Sequence, residues 1–153
     1  MARKTSSVRR ARPNAAPDLG ALNDRLGYFV RRLQVWIFQD FIRRLARLDL
    51  SPAQFSVIVV IGANPGLSQA ELAETLGIER ARLVRLLHRL ERRGLTQRRA
   101  SRSDGRRHAL ELTREGRTVR GAAERLAGQH EGVLREKLGA RRYRTLLNVL
   151  RAV

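Results

Sequence analysis

Arg82, Arg85, Arg89 and Arg92 recur at i, i+3, i+7 and i+10, the spacing that lines side chains up in one stripe along a helix. Leu83, Leu86, Leu87 and Leu90 fall on the opposite side and are expected to point inward. A fixed row of guanidinium groups suits phosphates and guanine edges, because each group is a planar, permanently charged fork. The same row could also be an ordinary solvated face.

The preceding segment decides between these readings. Gln69 to Leu86 fits a helix-turn-helix. Ala73 stands where two helices approach closely. Gly77, four residues later, takes the turn, where a positive φ is cheap for glycine alone. Leu72, Leu76, Ile78, Leu83 and Leu86 are spaced to bury the angle between the helices. A cationic stripe on the second helix of such a pair is what a major-groove reader requires, with its first residues at base edges and later arginines at phosphates. A hairpin tip, Ser101 to Arg107, follows between extended candidates at 96–100 and 108–112. Its arginines are placed to enter a minor groove. Asp104 is expected to pair with a nearby Arg and orient it.

The charge distribution agrees. The 153 residues carry +18, from 32 Lys and Arg against 14 Asp and Glu. Residues 79–107 hold +8 of this, residues 21–78 only +1, residues 1–20 +4 and residues 108–153 +5. The total predicts a polyanion partner without choosing one; the clustering points to the reader and hairpin. A genomic bias toward Arg would explain the near-absence of Lys but not the clustering.

Other chemistry is excluded or unsupported. With no Cys, disulfides, thiolate metal sites and thiol catalysis are ruled out. His88, His108 and His130 share no ligand spacing and are expected at the surface or near DNA. No nucleophile–base pair, phosphate-binding glycine loop or paired carboxylates stand out, so neither an enzyme nor a cofactor is expected. No stretch approaches about 18 consecutive apolar residues, and the basic N-terminus lacks the apolar core of a secretory signal. No membrane role is expected; the expected location is the cytoplasm, on the nucleoid.

The positioning elements can be read from caps and breakers. Apolar residues between Leu22 and Leu48 keep the rhythm of one long amphipathic helix, which holds five of the seven aromatics. Phe38 lies off its main stripe, giving a second apolar surface: core and dimer seam, or the wall of a pocket. Ser51-Pro52-Ala53-Gln54 and Ser68-Gln69-Ala70-Glu71 are capping boxes. Asn64-Pro65-Gly66 ends the helix between them. Thr113 caps a long helix to about Leu138, and a last helix spans residues 141–151. Residues 1–20 read as a flexible basic arm or a solvated tail.

Taken together, these residues resemble the MarR-type winged helix-turn-helix regulators. The resemblance covers roughly residues 22–151 and is strongest from Leu50 to Thr113. The wing signature appears as Asp104-Gly105-Arg106 and Leu112-Thr113, and the Arg-Leu-Glu-Arg-Arg-Gly-Leu run at 89–95 is also typical. The implied fold is mainly α with a small β-hairpin wing. It comprises a basic arm (1–20) and a single domain (21–153), with dimerisation helices at 21–48 and 114–153 around a DNA-binding lobe at 51–113. The residues expected at DNA are Ser68, Gln69, Arg80, Ala81, Arg82, Arg85, His88, Arg89, Arg102, Asp104, Arg106 and Arg107. Ala81 to Val84 replace the Ser or Thr frequent there in the family, so base reading rests on Arg82, Arg85 and His88.

The resemblance also implies a homodimer on a pseudo-palindromic double-stranded operator, its readers about one DNA turn, ~34 Å, apart. A small aromatic, anionic or acyl-CoA-type effector would release it. Tyr28, Phe29, Arg32, Trp36 and Phe41 are the pocket candidates. Two alternatives stand beside this reading. An architectural, sequence-indifferent DNA binder fits the charge and the arm. A basic RNA-binding protein fits the composition, though a major-groove helix poorly suits A-form RNA.

Overall fold

The computed structural model describes residues 16–100 and 108–152. Six α-helices and one hairpin follow in the order α1 (Leu26–Leu45), α2 (Pro52–Ala63), α3 (Gln69–Leu76), α4 (Arg80–Arg92), β1 (Thr96–Ala100), β2 (His108–Leu112), α5 (Arg114–Leu138) and α6 (Ala140–Arg151). The expected helix over 22–48 is broken at both ends. A 3₁₀ turn covers Gly20–Asp24, Arg25 is extended, and a second 3₁₀ turn covers Ala46–Leu48. The Asp18 carboxylate accepts from the Gly20 amide at 3.0 Å, a local side-chain bond that holds the start of the first 3₁₀ turn.

Both capping boxes form. Ser51 accepts from the Gln54 amide while the Gln54 side chain accepts from the Ser51 amide; Ser68 and Glu71 do the same for α3. Each cap of this kind contributes about 1 kcal/mol. The β-branched run in α2 is helical because this start signal overrides its strand preference. It is also deeply buried, with Val57, Ile58 and Ile61 fully enclosed. Gly77 closes α3 at φ +59°, the left-handed turn expected there. Glu79 starts α4 without a side-chain cap.

One core joins these elements: Leu45 and Leu50, the inner face of α2, Leu72 and Ala73, Leu83, Leu87 and Leu90, then Leu95, Leu110, Leu112 and Ala123. The hairpin is antiparallel, with Thr96 opposite Leu112 and Arg98 opposite Leu110. The loop after α2 joins the free edge of β2, because the Gly66 amide donates to Leu110 and the Leu110 amide donates to Leu67. The hairpin base is therefore fixed to the helix-turn-helix.

Large apolar side chains remain outside this core at the two ends of the chain. Leu26 is 79% exposed and Val149 and Leu150 are each 57% exposed; Phe29, Val30, Val35 and Ile42 of α1 are exposed as well. No single helix among the described residues is long and apolar enough to cross a membrane.

Candidate DNA-binding face and effector cleft

The sequence brings eleven arginines into residues 79–107, and the structure divides the described ones into two groups. Arg93 donates to the Leu48 carbonyl at 2.9 Å and also reaches Asp49, tying the end of α4 to the end of α1. Arg98 pairs with Glu91 at 2.7 Å, and Arg99 with Glu111 at 3.2 Å. These three brace the hairpin and the lobe. The side chains of Arg80, Arg82, Arg85, Arg89 and Arg92 make no hydrogen bond or ion pair with another described residue. A cation without a partner keeps its full field for a ligand.

The other residues expected at DNA fall into place around this group. Ala81 and His88 are exposed on α4. Ser68 spends its hydroxyl on the α3 cap. Gln69, with its amide oxygen turned toward Arg98, accepts from that guanidinium at 3.1 and 3.2 Å, so it also holds β1. Arg102, Asp104, Arg106 and Arg107 lie outside the described residues.

A cleft of about 910 Å³ opens between α1, α2, α4 and α5. Its apolar walls are Ile37, Phe38, Phe41 and Ile42 of α1, Phe55 of α2, Leu86 of α4 and Ala127 of α5. Phe41 meets Phe55 edge to face at 5.4 Å and Phe38 at 6.5 Å, the geometry aromatic pairs prefer. Arg82, Arg85 and Arg89 complete the lining. The stripe expected to face DNA is thus also the cationic wall of a cavity.

Of the five pocket residues expected from the sequence, Phe41 lines this cleft. Tyr28 and Phe29 pair with each other at 5.3 Å, with Arg32 over Tyr28 at 5.7 Å. Trp36 sits under Lys137 at 5.6 Å. The second apolar surface marked by Phe38 is the one that faces the cavity.

His130 departs from the expectation of a surface or DNA-proximal histidine. It is 3% exposed, lines the cleft and stacks on Phe41 with ring centroids 5.2 Å apart. A signal was present: His130 continues the inward stripe of α5 through Ala123, Ala127 and Leu134. Its Nδ1 lies 2.9 Å from Asp40 Oδ2. Arg44 donates to the same oxygen at 2.6 Å, and Arg43 lies 3.5 Å from the other.

The Arg44 hydrogen bond, and after it the His130 one, lowers the Asp40 pKa from 3.8 to about 2. A folded pKa below the unfolded one stabilises the fold above pH 3.8, and that contribution is lost as pH falls through about 2. The carboxylate is about a third exposed, so solvent screening limits its size. Asp40→Asn is expected to lower stability at pH 7 and to flatten the acid-unfolding curve between pH 3.8 and 2. Circular-dichroism melts across that range check this; an Asn variant as stable as the wild type at pH 7 would contradict it.

Known proteins share these features. The profile of the MarR family matches residues 48–107. The transcriptional repressor CouR, solved on a 23-mer DNA duplex, superposes with a TM-score of 0.85 at 43% identity, covering 90% of this chain and 98% of that one. CouR bound to p-coumaroyl-CoA superposes at 0.80 with 42% identity, covering 87% and 94%. An HTH-type transcriptional repressor of Mycobacterium tuberculosis is 32% identical over 99 residues, 65% of this chain and 71% of its own length. The chain spans a little over half of other curated relatives, such as 56% of Escherichia coli HosA, at 39% identity over 75 residues. With an exposed arginine stripe on the second helix of a helix-turn-helix and a hairpin wing behind it, the chain belongs to the MarR family of transcriptional regulators.

Proposed function

We propose that the protein is a homodimeric repressor that binds a pseudo-palindromic double-stranded operator and leaves it when an aromatic acyl-CoA occupies the cleft. The observation that carries this is the double placement of Arg82, Arg85 and Arg89, which lie on the exposed face of the reading helix and in the wall of the cavity. An anionic ligand in the cleft and the DNA backbone would then draw on the same cations. Release needs no large change of shape: the ligand binds the DNA-free state better because DNA and ligand compete for one set of charges.

Arg80, Ala81, Arg82, Arg85, His88 and Arg89 are the major-groove set, and Arg102, Arg106 and Arg107 with Asp104 are the wing set. Gln69 acts through Arg98, by holding the hairpin base. The exposed apolar residues of α1 and α6 support a twofold dimer, since patches of this kind mark interfaces. CouR, solved separately with DNA and with p-coumaroyl-CoA, supports both ligand classes. The site of action is the nucleoid, and the role is regulatory rather than catalytic.

Fluorescence anisotropy with the DNA upstream of the protein's own gene and with random DNA, over a salt series, tests the first half. An affinity ratio of about 10³ or more is expected, as for specific binders. Equal affinities with a steep salt slope would support the architectural reading instead. Adding p-coumaroyl-CoA to the complex tests the second half; release is expected, and undiminished anisotropy at saturating thioester would overturn it.

A further inference from the structure

We infer that Val84 is a base-reading residue, and that the group it reads is the 5-methyl of a thymine in the major groove of each half-site. This rests on the operator-binding half of the reading above and adds one base to it.

Val84 is 46% exposed. The other large apolar side chains exposed among the described residues belong to the first 3₁₀ turn, to α1 or to α6; among them Val84 alone lies in the lobe from α2 to β2. Folding does not call for a valine there. A β-branched side chain is a weaker helix former than Ala or Leu, and at an exposed position little burial offsets that. Its position points to another use. Val84 is the fifth residue of α4, in the half of a reading helix that reaches base edges. Arg80, Ala81 and His88 stand at i−4, i−3 and i+4 from it, all exposed, so they share its side of the helix. Gln69, Ala70, Arg80 and Leu83 complete a depression of about 270 Å³ around it. Ala70 and Ala81 are too short to screen Val84 from a groove edge.

The major groove fixes what a valine can recognise. Hydrogen-bond donors and acceptors line every base pair there, and the one apolar group among them is the thymine 5-methyl. The arginines of α4 donate hydrogen bonds, so they discriminate among donor and acceptor patterns but not for a methyl group. A valine makes no hydrogen bond. Pressed on a cytosine, guanine or adenine edge, it strips water from polar atoms and returns nothing. Pressed on a thymine, it buries two apolar groups against each other. Val84 therefore selects thymine by attraction and rejects the other bases by cost.

Anisotropy with two duplexes tests this: the DNA upstream of the protein's own gene, and the same duplex with every thymine replaced by deoxyuridine, which lacks the 5-methyl and keeps the hydrogen-bonding pattern. Burying one methyl is worth about fourfold in affinity, so two half-sites give about fifteenfold. The wild type is expected to bind the thymine duplex about fifteenfold more tightly than the deoxyuridine one. Val84→Ala should bind the thymine duplex more weakly than the wild type does, and the two duplexes within about threefold of each other. Its thermal midpoint should not fall, because the position is exposed and Ala is the better helix former. Val84→Thr keeps the shape and one of the two methyl groups and should retain part of the preference. Replacing thymines one at a time should concentrate the wild-type loss at one position of each half-site, where Val84→Ala is indifferent. Equal wild-type affinities for the two duplexes, or a preference unchanged in Val84→Ala, would overturn the methyl contact; a wild type that still prefers the upstream duplex to random DNA would leave the operator reading standing. A loss spread evenly along the duplex would also overturn the contact, since that is the mark of altered DNA stiffness. Equal affinity for the upstream, deoxyuridine and random duplexes would overturn both.

Discussion

Arg82→Ala is expected to cost the dimer about 2–6 kcal/mol of operator affinity and to relax base preference at one position of each half-site. The estimate takes about 1–3 kcal/mol for a lost base-reading arginine, counted once per subunit. Arg82 lies in the first turn of α4, the part of a reading helix that reaches base edges, and it is exposed and unpaired among the described residues. Nothing in the core depends on it, so the thermal midpoint should stay near the wild-type value. Arg92, at the end of the same helix, is the contrast: its loss should weaken all sequences alike and lower the salt slope by about one per contact. Anisotropy with the operator and with single-base variants separates the two. An Arg82→Ala protein that discriminates as well as the wild type would move base reading to Arg85 and His88. Because Arg82 also lines the cleft, the same variant should bind p-coumaroyl-CoA more weakly. A loss of DNA affinity with undiminished thioester affinity would show that the two ligands do not share this cation.

Much of the fold was legible because its signals are local. Ser51 with Gln54, Ser68 with Glu71, Thr113, and Gly77 at its turn each fix an element end within four residues, and the structure places all of them as expected. The alternation of Arg and Leu along α4 is equally local, so its inner and outer faces were clear from the sequence. The cleft was not legible. It is made by four helices from distant parts of the chain, and the hydrogen-bonded pair beside it, Asp40 and His130, is 90 residues apart. An aromatic-rich helix cannot reveal which of its faces a later helix will cover. Of the aromatic residues of α1, Phe38 and Phe41 line this cleft, while Tyr28, Phe29 and Trp36 are not in its lining. The break at Arg25 was hidden for a different reason: apolar spacing continues across it, so periodicity alone carries no sign of the extended residue.

Gly116→Ala is expected to destabilise the fold by about 1–3 kcal/mol, the range for overpacking a closed contact, and to weaken DNA binding although no DNA-facing residue changes. Alanine usually favours a helix over glycine by up to about 1 kcal/mol, so propensity alone predicts the opposite sign. Geometry decides against it: a Cβ at Gly116 would sit 1.9 Å from the Leu95 carbonyl oxygen. That oxygen belongs to backbone and cannot rotate away. It accepts from the Thr113 amide at 3.1 Å, while the Thr113 hydroxyl donates to Gly94 at 2.6 Å and accepts from the Gly116 amide at 2.9 Å. The start of α5 is therefore seated on the turn between α4 and β1, and Gly116 allows it to lie flush. A side chain there must lift α5 or push Leu95, and Leu95 leads directly into the hairpin. Either movement re-aims the wing relative to the reading helix, so operator affinity falls along with stability. Gly128→Ala, in the same helix with nothing within 4 Å of the added carbon, is the control and is expected to stabilise. Urea melts of both variants beside anisotropy measure the two effects. Equal stability of Gly116→Ala and wild type would mean that the chain accommodates the methyl group without loss at this seam and would overturn the close approach as the reason for glycine here.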